Sequence, residues 1–135
     1  MRNFDKLYMN IAFQFAEQSY ASRKKVGAIL VKDNSIISDG YNGTPSGFSN
    51  KCEDENGNTH WYVLHAEANA ILKVAKNSSN CKDAVLYITM SPCKDCCKLI
   101  IQSGIKKVIY SERYRDESSI IFLNNYGIEC QQIKD

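Results

Sequence analysis

Ala84-Val-Leu-Tyr-Ile-Thr-Met-Ser-Pro-Cys-Lys-Asp-Cys96 decides how this chain is built. Its first half, Ala84–Met90, is the most strand-like run in the sequence, rich in β-branched, aromatic and aliphatic residues. A strand apolar on both faces belongs in the middle of a covered sheet. The second half leaves that strand abruptly. Pro92 is expected at the start of a helix, where its missing N–H costs little. Residues 94–103 continue that helix and Gly104 stops it. Cys93 and Cys96 therefore share the first turn, at the C-terminal end of a central strand.

Working outward, Lys107–Tyr110 reads as the next strand, residues ~117–126 as a helix, and Ile128–Ile133 as a last strand. A helix between two strands permits a parallel crossover, which a short hairpin does not. Upstream, Val26–Val31 and Ser35–Tyr41 are two short apolar runs joined by the turn formers Lys32-Asp33-Asn34, hence a hairpin. Before them, Phe4, Leu7, Tyr8, Ile11 and Phe15 recur at helical spacing and predict one buried face of a helix over residues ~3–20. The sum is an α/β domain spanning 1–135, with a mixed five-stranded sheet covered by helices.

A second stretch answers the cysteines. His65-Ala66-Glu67 opens an alanine- and leucine-rich helix running to Lys76. One imidazole and two thiolates make three zinc ligands, His65, Cys93 and Cys96, and three protein ligands leave a fourth position for water. Helix N-termini aimed at the sulfurs favour thiolate over thiol. Glu67 stands two residues past the histidine, placed to handle protons rather than to bind metal. A purely structural zinc, or a non-catalytic zinc-stabilised module, would have no use for it.

The remaining features are quieter. Ser22-Arg23-Lys24-Lys25 is either a solvated loop or a phosphate contact. Gly40–Gly47 is rich in turn formers, with Asn42 at a strand end where its amide can donate and accept. The long aperiodic segment from Asn42 to about Trp61 has the length of a binding loop. Cys52 and His60 within it are too few for a second zinc site. Cys97 reads as a core or spare thiol, and Cys81 and Cys130 carry no signal.

Six cysteines with three clustered at 93, 96 and 97 favour thiols and metal ligation over a disulfide framework. No export signal is read at the N-terminus and no apolar run of about 18 residues is present, so a cytoplasmic protein without a membrane span is expected. A net charge of +2 is too balanced to predict a nucleic-acid surface and suits a small anionic substrate.

H-x-E followed by P-C-x-x-C is the established signature of zinc deaminases, so this match is a recognition. Gly40-Tyr-Asn-Gly-Thr-Pro45, His65–Ile71, Thr89–Cys96 and Ser103–Tyr110 together resemble the deoxycytidylate deaminase family over about residues 25–133. The resemblance implies a cytidine-deaminase-like three-layer α/β/α sandwich and hydrolysis of dCMP to dUMP and ammonia for dTTP synthesis. It also implies a homo-oligomer, often a hexamer, activated by dCTP with Mg²⁺ and inhibited by dTTP. Carried over, His65, Cys93 and Cys96 bind Zn²⁺ and Glu67 is the acid/base. The Ala66 backbone meets the pyrimidine, Asn42 the deoxyribose hydroxyl, and Lys25 and Tyr114 the phosphate, with Arg23 and Arg115 in reserve. Some viral members carry a second zinc on extra cysteines and histidines. Ala21-Ser22 stands where such cysteines would fall, so one zinc per chain is expected. The main rival, a tRNA adenosine deaminase, typically has glutamate where this chain has Ser91.

Overall fold

The structure is a computed structural model that describes residues 4–114 and 116–134. The chain runs α1 (Phe4–Ala16), β1 (Gly27–Lys32), β2 (Ser35–Tyr41), α2 (Ala66–Lys76), β3 (Val85–Met90), α3 (Lys94–Ser103), β4 (Lys107–Glu112), α4 (Ser118–Asn125) and β5 (Glu129–Gln132). The strands form one sheet in the order β2-β1-β3-β4-β5. β1 is antiparallel to both β2 and β3, and β3, β4 and β5 are mutually parallel. The expected mixed sheet is present, with β3 at its centre.

Strand alternation divides the core. Leu86 and Ile88 of β3, Ala28 and Leu30 of β1, and Val108 and Tyr110 of β4 face a cluster that also takes Ala70 and Val74 of α2, Ile100 of α3 and Leu123 of α4. Tyr87, Ile29, Val31 and Ile109 point the other way, onto Tyr8, Met9 and Ala12 of α1. Helices thus cover both faces, giving the three layers. The β1–β2 turn places Asp33 and Asn34 at φ 51° and 62°, the pair of left-handed residues that a tight two-residue hairpin requires.

Two expectations need correction. α1 ends at Ala16, and its buried residues are Tyr8, Met9, Ala12 and Ala16, whereas Phe4 and Leu7 are 46% and 48% exposed. The reason is Gly27 of β1: a Cβ there would lie 2.0 Å from the Ala12 carbonyl oxygen and 2.5 Å from the Ala16 nitrogen. The helix backbone rests directly on the strand at Ala12 and Ala16, while Tyr8 and Met9 pack on the sheet beside that contact. Gly40 seats α2 on β2 in the same way, under the Ala66 oxygen and the Ala70 nitrogen. Pro92 lies one residue before the N-cap of α3, which is Cys93 itself.

Candidate active site

The end of β3, the end of β2 and the start of β1 meet at one edge of the sheet. The Gly27 N–H donates to Thr89 Oγ1 at 3.2 Å and ties β1 to β3 there. Beyond this edge lies a cavity of about 330 Å³, outside the carboxyl ends of the parallel strands where open α/β sheets bind ligands.

His65 is the N-cap of α2 and Cys93 the N-cap of α3, both extended, and neither side chain makes the usual capping bond. Their carbonyls begin the helices, accepting from the Asn69 and Cys97 N–H groups. Their side chains turn toward one another instead. His65 Nδ1 stands 3.4 Å from Cys93 Sγ and 3.3 Å from Cys96 Sγ. The three ligand atoms lie within 4.8 Å of one another and are, among the described residues, the one such group of His, Cys, Asp and Glu. Zinc bonded tetrahedrally at ~2.3 Å to sulfur and ~2.0–2.1 Å to nitrogen sets those atoms roughly 3.6 Å apart. The donor set fits.

The sulfurs share a proton unequally. A hydrogen bond from Cys96, together with His65 and against the effect of burial, pushes Cys93 down to about 3. Cys96 is driven far up by the same bond, by burial and by Glu67. Cation binding requires the Cys96 proton to leave. Glu67, in the first turn of α2, is 3% exposed. Burial raises its carboxyl above the ordinary range, against the lowering by its own N–H and by His65. A buried carboxyl beside the metal group is placed to accept and return a proton.

The cavity is lined by His65, Ala66, Glu67, Ser91 and Cys93 together with Arg23, Lys24, Asn42, Glu53 and Tyr114. Ala66, Asn42 and Tyr114 are therefore placed with the metal residues. Lys25 is exposed and stands outside the lining, whereas its neighbours Arg23 and Lys24 are part of it. Arg115 lies outside the described residues. Asn42 already bridges two backbone groups, accepting from Val26 N–H at 2.9 Å and donating to the Lys24 carbonyl at 2.8 Å. It keeps one amide hydrogen and one lone pair for a ligand. Ser91 is buried; its hydroxyl accepts the Tyr114 N–H at 2.6 Å and its N–H donates to the Glu112 carbonyl, holding the segment after β4 against the cavity. Cys52 is buried beside the cavity, its thiol on the Asn50 carbonyl, and the His60 ring stacks on Tyr62.

Sequence reasoning missed Glu53. It sits in an acidic run that looks like any solvated loop, and only the fold turns it inward.

The profile of the cytidine and deoxycytidylate deaminase zinc-binding region matches residues 2–112. The chain belongs to this family. It is 34% identical to the deoxycytidylate deaminase of Enterobacteria phage T4, over 90% of this chain and 85% of that protein. It is 36% identical to the Saccharomyces cerevisiae deoxycytidylate deaminase over 96% of this chain, yet spans 45% of that relative's length. The crystal structure of dCMP deaminase from cyanophage S-TIM5, in complex with dCMP and dUMP, superimposes with a TM-score of 0.95 at 46% identity, covering 98% of this chain and 99% of that one.

Proposed function

We propose that this chain hydrolyses dCMP to dUMP and ammonia. One observation carries the reading: a single cavity joins a His-Cys-Cys metal group and a buried glutamate to two cationic side chains, Arg23 and Lys24. A base at the metal group and a 5′-phosphate at the cationic side chains account for both. The likeness to the cyanophage enzyme, which binds dCMP and dUMP, supports the same substrate.

His65 Nδ1, Cys93 Sγ and Cys96 Sγ would hold zinc, which would supply a Lewis acid and activated water at neutral pH. The Ala66 backbone, at the first helical position of α2, meets the pyrimidine edge. Glu67 takes a proton from water and delivers it to ring N3 as the oxygen adds to C4. It then takes the remaining proton from the oxygen on C4 and passes it to the 4-amino group, which leaves as ammonia while the C4 carbonyl forms. Asn42 contacts the deoxyribose hydroxyl, and Tyr114 with Arg23 surrounds the phosphate, joined by Lys24 when its ammonium exchanges the Glu112 carboxylate it pairs with for the phosphate.

A homo-oligomer, hexameric as in the resembling family, is supported by large apolar side chains left on the surface, including Trp61 at 93% exposure. Regulation by dCTP with Mg²⁺ and by dTTP rests on the family resemblance. Six free thiols support a reducing, cytoplasmic setting. Among the described residues, no helix is long and apolar enough to cross a membrane.

The deciding experiment compares ammonia release from dCMP, deoxycytidine, dCTP and a tRNA anticodon stem, with and without dCTP or dTTP. dCMP should exceed deoxycytidine in kcat/KM on the order of 100-fold, the worth of two charge-assisted contacts. Equal turnover of deoxycytidine overturns the phosphate assignment, and preferred release from the tRNA stem overturns the substrate class.

A further inference from the structure

One carboxylate at the cavity has no part in the chemistry above. Glu53 is only 8% exposed and lines the wall that also carries Arg23 and Lys24. Its Oε2 accepts the Ser22 N–H at 3.0 Å and the Arg23 N–H at 3.4 Å. The chain around it is closed into a small hairpin. Glu53 bridges Thr59, the His60 N–H donates to the Cys52 carbonyl at 2.8 Å, and Asp54 Oδ1 accepts from the Asn56 and Asn58 N–H groups at 2.9 Å each. Glu53 therefore projects from a stiffened support.

The opposite flank of the same basic segment is anchored too. Asn42 holds the Lys24 carbonyl and the Val26 N–H, and Ser19 Oγ in turn donates to the Asn42 carbonyl at 2.7 Å. Arg23 and Lys24 thus lie between two clamps, and only the Glu53 clamp acts on the backbone of Arg23 itself. Burial works to raise the Glu53 carboxyl, but the Ser22 hydroxyl, the two N–H groups and the Arg23 charge outweigh it and hold the group ionised below the usual carboxylate range. An ionised acceptor is the stronger partner for both donors.

We propose that Glu53 is a positioning residue for substrate phosphate, fixing the backbone at Ser22 and Arg23 so that the Arg23 and Lys24 side chains are presented to the 5′-phosphate. The inference rests on the dCMP reading above. It separates geometry from charge, because both N–H groups converge on one oxygen. Glutamine can offer a single oxygen at that point, alanine offers none, and aspartate falls one methylene short.

The test measures kcat and KM for dCMP and for deoxycytidine on the zinc-loaded full chain, wild type and Glu53→Ala, Glu53→Gln and Glu53→Asp. Alanine should raise KM for dCMP about tenfold, the equivalent of one charge-assisted hydrogen bond, with kcat within about twofold. Its kcat/KM on deoxycytidine should stay at the wild-type value, since that substrate brings no phosphate. Glutamine should keep KM for dCMP within about twofold, and aspartate should fall between the two. If the alanine chain does not fold, the aspartate variant decides by the same criterion. An unchanged KM for dCMP overturns the proposal, as does an equal loss on both substrates, which a merely structural role would give. Glutamine as impaired as alanine also overturns it, as does failure of every variant to fold. Should wild type itself show no preference for dCMP over deoxycytidine, the dCMP reading fails whatever Glu53 does. A wild-type preference that the alanine variant retains sinks the positioning role alone.

Discussion

At the metal end of the cavity every reactive side chain arrives on a helix start, whereas at the cationic end the groups arrive on loops held by side-chain hydrogen bonds. His65 and Cys93 are N-caps, and Cys96 and Glu67 lie in the first turns behind them. Their positions follow from the packing of α2 and α3 on the sheet. Arg23 and Lys24 stand on a segment without regular structure, located by Glu53 and Asn42. Bond-making tolerates little displacement, so it is served by packed elements. Recognition of a substrate's periphery is served by a loop on a rigid scaffold, where residues change without disturbing the core.

Four substitutions challenge that contrast, in falling order of effect. Glu67→Gln should lower kcat by about 10³-fold or more while metal analysis still finds one zinc per chain, because none of the three ligand atoms is altered. Ammonia release near the wild-type rate would break the assignment of proton transfer to the packed end. Arg23→Ala should act on the other end alone, raising KM for dCMP by about ten- to thirtyfold and leaving deoxycytidine kinetics as they were.

Gly40→Ala and Gly27→Ala sharpen the comparison further. Each inserts a Cβ against helix backbone, an overpacking that costs about 1–3 kcal/mol. The difference is which helix moves. Gly40 lies under α2, so its alanine variant should lose kcat per folded molecule as well as thermal stability. Gly27 lies under α1, which carries none of the reactive groups, so a lower melting temperature with kcat within about twofold is expected. Equal kinetic damage from both would show that the metal end does not depend on the seating of α2.

The same division explains what could be read from the sequence. β3 was plain because it is apolar on both faces, and the metal group because its residue types recur at helix starts with diagnostic spacing. The buried face of α1 is legible in part: Tyr8, Ile11 and Phe15 pack on the sheet as their spacing predicts, whereas Phe4 and Leu7 stay exposed. Gly27 admits backbone-to-backbone approach, and there Ala12 and Ala16 outrank Phe4 and Leu7. The family resemblance implies Lys25 for the phosphate; that Lys24 and not Lys25 lines the cavity depends on the path of residues 21–26, which Asn42 and Glu53 set from 16 to 31 residues away. Nothing local in Cys52-Glu53-Asp54 announces that its middle member turns inward.

The uncapped helix starts bear on how this protein could be hardened. Residues 65 and 93 occupy positions where serine, threonine or aspartate commonly improves a helix by ~1 kcal/mol. A consensus-minded engineer would choose them first and would erase the metal site. Durable gains lie elsewhere, at Ser78 and Asp83, which adopt φ 62° and 64° away from the cavity. Glycine suits such left-handed positions. Ser78→Gly, just past the end of α2, should raise the melting temperature by a few degrees and leave both ends of the cavity untouched.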